Sequence, residues 1–147
     1  MKNNMRIHKA ISVQTSKEEF YNKAEELGTR AAKIFKEGKG KTQLNSLLNL
    51  VNSSLRVTDT INYIKRQIGH RNRGFEEDNF GNDLIDFLYN DLKIIKNSIA
   101  SELKHLELND YEVQQIHLLL CRQFISSMVI HYNYQQREGF DAISTKF

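Results

Sequence analysis

The chain contains no proline, no tryptophan, one cysteine and only seven glycines in 147 residues. Without proline no residue forces a helix to stop, and long stretches free of glycine argue against a many-turned β-sandwich. A lone Cys121 cannot form an internal disulfide, which fits a reducing compartment, so the expected location is cytoplasmic. No apolar run approaches the roughly 20 residues that a membrane span needs, and Met1–Ser16 does not read as a signal peptide, so no membrane partner is expected.

What is present is a polar but globular balance, with 39% hydrophobic and 27% charged residues. A chain of this length is near the commonest size for one domain. It buries roughly 68% of its unfolded surface without a metal or disulfide staple. The expectation is a single helical domain over 1–147, with an irregular N-terminal arm (1–15) and a frayed C-terminal tail (140–147). The net charge of +3 conceals an asymmetry. Residues 1–75 hold 15 Lys/Arg against 6 Asp/Glu, and residues 76–147 hold 6 against 12. Such a split suggests two interaction surfaces of opposite sign, the basic one suited to phosphate.

Helical periodicity dominates. Ser16-Lys17-Glu18-Glu19 reads as a capping box that opens a first helix, whose apolar face is Phe20, Ala24, Leu27, Ala31 and Ile34. Gly38-Lys39-Gly40 stops it. Thr42 is placed to cap a second helix carrying Leu44, Leu47, Leu48, Val51 and Leu55. The apolar phase then turns, which predicts a break near Thr58–Asp59 and a third helix on Ile61, Ile64 and Ile68. Asn72–Asn82 reads as a loop. A fourth helix follows on Leu84, Leu88, Leu92, Ile95, Ile99 and Leu103. Asn109-Asp110-Tyr111-Glu112 caps a long fifth helix along Val113, Ile116, Leu120, Phe124, Met128 and Tyr132, closed by Gly139. The predicted fold is an all-α bundle of about five helices.

Few residues group into recognisable chemistry. Gly38-Lys39-Gly40-Lys41-Thr42 resembles the end of a phosphate-cradling nucleotide loop, but Phe35 stands where its first glycine belongs, and a helix rather than a strand precedes it. His117 and Cys121 share a helix face at i, i+4, yet no companion ligands complete a zinc site, so no metal or other cofactor is expected. No catalytic residue is expected either. Arg66 and His70 are one residue too close for the R-x(4–6)-H signature of helical HEPN ribonucleases, which leaves that enzyme reading third in order. The densest basic segment runs from Gly28 to Arg73, with 10 basic residues against 2 acidic. Asn62, Arg66, His70 and Arg73 recur there every three or four residues, opposite the isoleucines. The expected RNA-contacting residues are Lys39, Lys41, Arg56, Lys65, Arg66, His70, Arg71 and Arg73.

Three segments carry a family resemblance. They are Thr42 to Asn52, a threonine-headed helix ending in Val-Asn, Tyr63 to Arg73, and the aromatic-rich Phe124 to Tyr134. Together they resemble the small subunit of type III CRISPR–Cas effector complexes, especially the type III-A (Csm) form, over about residues 40–137. One departure is Asn45, where the family commonly has a basic residue. The resemblance implies a non-enzymatic helical protein, several copies of which stack against backbone subunits beside the guide and target RNA. The alternative of another class is a helical adaptor or homo-oligomer whose basic face serves protein or DNA.

Overall fold

The computed structural model describes residues 2–35, 39–70 and 73–145, with side chains at 3–35, 42–70 and 73–137. Over these residues the chain is an all-α bundle with no strand. The first 15 residues are not an irregular arm: α1 spans Lys2–Thr15. Ile7, Ala10 and Ile11 form a short i, i+3, i+4 face and are buried, while Met5 and Val13 on other faces stay exposed and blur the period. Asn3 Nδ2 donates to Glu112 Oε2 at 3.2 Å, tying α1 to a residue 109 positions further along the chain.

Ser16 ends α1 rather than opening the next helix. Its hydroxyl donates back to Ser12 O at 2.6 Å, and α2 (Glu18–Ile34) begins after Lys17 with no side-chain cap. The helix α3 (Lys39–Ser53) starts three residues before Thr42, because Gly40 is tolerated within a first turn. The expected break between the second and third predicted helices exists, but at Ser54–Arg56, and α4 spans Val57–Gly69. Ser54 is buried there, its hydroxyl bonding Leu50 O at 2.6 Å.

The predicted loop at Asn72–Asn82 is shorter than expected. Gly74 adopts φ +90, and a Cβ there would meet the Phe35 ring at 2.7 Å, so both conformation and space require glycine. A 3₁₀ turn at Glu77–Asn79 follows, with Asp78 and Asn79 left-handed, and α5 (Phe80–Asp86) is already helical at Phe80. The helix continues through a π turn at Phe87–Asp91 into α6 (Leu92–Glu102). A 3₁₀ turn at Lys104–Leu106 leads to α7 (Asp110–Thr145). Its capping box is as the sequence predicts: Glu112 N donates to Asn109 Oδ1 at 2.8 Å, and Asn109 N to Glu112 Oε1 at 3.2 Å. Gly139 does not close this helix, and the tail is not frayed from 140: α7 runs on to Thr145. A single glycine costs a helix only about 1 kcal/mol.

The central element is α7, which packs against α1, α2, α3, α4 and α6. Ile116, Leu120, Phe124, Met128 and Tyr132 are buried along it. Phe124 meets Phe20 edge-on at 5.5 Å and Phe87 at 4.3 Å. A second aromatic cluster joins Phe35 to Phe75 at 5.1 Å and to Phe80 at 5.8 Å. Polar side chains of α7 also serve the ends of other helices. Arg122 donates to Val51 O at 3.0 Å and Ser54 O at 2.9 Å, at the end of α3. Tyr132 Oη donates to Phe35 O at 3.0 Å, and Gln136 Nε2 to Ala32 O at 2.9 Å, at the end of α2. The last carbonyls of a helix have no partner of their own, so these bonds satisfy them.

Candidate nucleic-acid interface

Ile61 and Ile64 face the core and Ile68 is half-buried, which turns Asn62, Lys65 and Arg66 outward as the periodicity predicts. The helical stripe is shorter than the sequence suggested. It stops at Gly69, and His70 is extended, with φ −92 and ψ 114. His70 and Arg73 therefore project from the following loop, both exposed. Arg73 folds back far enough for its guanidinium to reach Gln67 Oε1 at 3.5 Å. Among the described residues no carboxylate lies within 4.0 Å of Lys65, Arg66 or Arg73, so their charge is not neutralised by pairing.

The remaining basic positions divide. Lys39 and Lys41 lie in the first turn of α3, their side chains outside the described residues, as is Arg71 altogether. The Phe35–Phe75 contact brings the chain just before α3 beside the exit of α4, so both lysines start from the same end of the bundle as Arg73. Arg56 does not join them. It precedes α4 at the opposite end, about 15 Å along the helix from Arg66 at 1.5 Å per residue, and pairs with Asp59 at 3.4 Å. Arg30 is absorbed by structure: it bonds Asp83 Oδ2 at 2.7 Å and Asp78 O at 2.8 Å, pinning the loop after α4 to α2. The two signs of charge are thus less separate in space than along the chain, because Arg30 from the basic half pairs with Asp78 and Asp83 from the acidic half.

His117 and Cys121 share one acceptor. In the π turn Leu92 N–H bonds Phe87 O, so Leu88 O loses the partner an α-helix would give it. His117 Nε2 donates to that oxygen at 2.8 Å, and Cys121 Sγ lies 3.7 Å from it. Burial lowers the His117 pKa against the raising effect of that carbonyl, and Lys96 and Lys93 add to the lowering. Burial pushes the Cys121 thiol up to about 12. Both side chains fasten an irregular turn, and no cluster of three metal-ligating groups exists among the described residues. Arg66 and His70 likewise form no enclosed pair, since both are exposed.

A pocket that the sequence did not announce lies at the Arg56 end. Its wall comprises Leu55, Arg56, Val57, Thr58, Tyr89, Lys93, Gln114 and His117. These come from three distant segments, so no local motif joins them; only Arg56 and His117 stand out in the sequence, each for a different reason. Compared with known proteins, the chain matches no family model, no curated protein and no solved structure.

Proposed function

We propose that this chain is a non-catalytic, RNA-associated helical subunit of a ribonucleoprotein. The resemblance to the type III CRISPR small subunit implies the kind of assembly: copies stacked against backbone subunits beside guide and target RNA. The observation that carries the RNA reading is the exposed charge of Lys65, Arg66 and Arg73 at one end of the bundle, with no carboxylate paired to them among the described residues. Ile61 and Ile64 hold the helix that presents the first two. Arginine stays charged and offers a planar fork of donors to phosphate. Contacts of this kind position a protein on RNA without reading its sequence.

The test is binding of single-stranded RNA across a salt series by the chain with Arg66, Arg71 and Arg73 replaced by alanine. Affinity is expected to fall for all sequences alike, and the slope of log affinity against log salt to flatten by about 0.7 per lost contact. Alanine at Glu76, Glu77 and Asp78 is the matched control and is expected to leave binding no weaker. An arginine variant with unchanged affinity and slope removes this surface as the RNA face and puts the adaptor reading first.

A further inference from the structure

The pocket beside Arg56 has the makings of a ligand site distinct from the basic end. It encloses about 280 Å³, near the lower bound of roughly 300 Å³ for small-molecule sites. That suits one nucleotide-sized ligand rather than an oligomer.

Its polar groups converge from three elements. Where α4 begins, Arg56 occupies the capping position, its side chain making no capping bond to the first N–H groups and reaching Asp59 Oδ1 at 3.4 Å instead. Asp59 N–H reaches back to Arg56 O at 3.2 Å, whereas a helix gives its first N–H groups, here those of Val57 and Thr58, no internal acceptor. Both residues line the pocket. Arg56 and Lys93 bring positive charge to it from different elements. The Asp59 carboxylate, which pairs with Arg56, lines the neighbouring depression instead. Lys93 Nζ sits 4.4 Å from the centre of the Tyr89 ring, which is 38% exposed.

The buried wall adds an acceptor. His117 is 2% exposed. Its Nε2 faces a carbonyl that can only accept, so in the neutral ring Nε2 carries the proton and Nδ1 holds a bare lone pair. Nδ1 has no partner among the described residues. His117 is one of the residues that line the pocket.

The geometry points to a nucleoside-monophosphate site. The phosphate sits at the start of α4 between Arg56 and Lys93, the base lies against Tyr89, and His117 Nδ1 accepts from a ribose hydroxyl or exocyclic amine. A free nucleotide and the 5′-phosphorylated end of a strand offer the same chemistry. Helix N-termini with cations beside them favour phosphate, and aromatic rings stack on any base.

Isothermal titration of the full chain with AMP, adenosine and inorganic phosphate tests the assignment. AMP is expected to bind at least tenfold more tightly than either fragment. Arg56→Ala and Lys93→Ala are each expected to weaken it about tenfold while leaving the urea midpoint in place. The imidazole ¹⁵N signals of His117 are expected to move on AMP addition. Arg66→Ala with Arg73→Ala, at the other end of the bundle, is expected to leave AMP affinity unchanged, which separates this site from the RNA surface. A 5′-phosphorylated dinucleotide that binds like AMP identifies a strand end as the ligand, and its exclusion identifies a free nucleotide. AMP that binds no better than inorganic phosphate, or whose affinity follows Arg66 and Arg73 instead, overturns the proposal.

Discussion

Gly28 on α2 lies against His131 on α7 so closely that a Cβ on the glycine would stand 2.6 Å from the histidine Cβ and 2.7 Å from Met128 O. Backbone cannot yield as a flexible side chain does. Gly28→Ala is therefore expected to destabilise the fold by about 1–3 kcal/mol, as overpacking does. Gly69→Ala is the companion: nothing lies within 4 Å of the place its methyl group would take, and a stabilisation of about 0.4–1 kcal/mol is expected. Urea titration of the two variants reads the difference directly, and equal effects would show that the helix crossing tolerates a methyl group.

His117 predicts a pH dependence. Its folded pKa is lowered, first by burial, so the unfolded chain binds a proton there before the folded chain does. The associated stability is fully present above the unfolded value of about 6.5 and is lost as pH falls from there towards the folded pKa. His117→Asn is expected to flatten this part of the stability profile as pH falls below about 6.5. At neutral pH the variant is also expected to lose about 1–3 kcal/mol, because Leu88 O is left without its imidazole donor. A variant whose acid sensitivity equals that of the parent argues that other groups set the profile.

Cys121 is expected to resist alkylation in the folded protein. It is fully buried, with its pKa pushed up to about 12, so at pH 8 the reactive thiolate is scarce even where reagent arrives. Modification should then track opening of the fold and accelerate sharply across the urea transition. Rapid labelling without urea would contradict the packing described for α7.

Two serine- and asparagine-headed motifs look alike in sequence but not in space. Asn109→Ala removes the Oδ1 that receives Glu112 N–H at 2.8 Å and is expected to cost about 1 kcal/mol. Ser16→Ala removes only a bond back into α1 and is expected to stay within about 0.5 kcal/mol. Denaturation midpoints that fall equally would restore Ser16 as a cap.

The readable parts of the fold are those where sequence neighbours act on one another. The face of α2 from Phe20 to Ala31 and the stripe of α7 from Ile116 to Tyr132 follow the 3.6-residue period over several turns, and they are buried as predicted. The helix α1 is illegible because its buried face holds only Ile7, Ala10 and Ile11. The π turn is illegible for another reason: its stray carbonyl is met by His117 and Cys121, 29 and 33 residues away. At the basic end, the exposure of Lys65 and Arg66 follows from the phase of Ile61 and Ile64. The engagement of Arg30 does not, since Asp78 and Asp83 lie 48 and 53 positions further on.

The bonds from Arg122, Tyr132 and Gln136 to the ends of α2 and α3 span 68 to 104 residues. A chain without proline has in effect moved its punctuation to its last helix. During synthesis, α2 and α3 emerge before the groups that terminate them exist, so their final turns fray until α7 arrives. Assembly of the bundle then waits on the synthesis of α7. A nascent chain arrested before Arg122 should exchange the amide protons at the ends of these two helices far faster than the finished protein does.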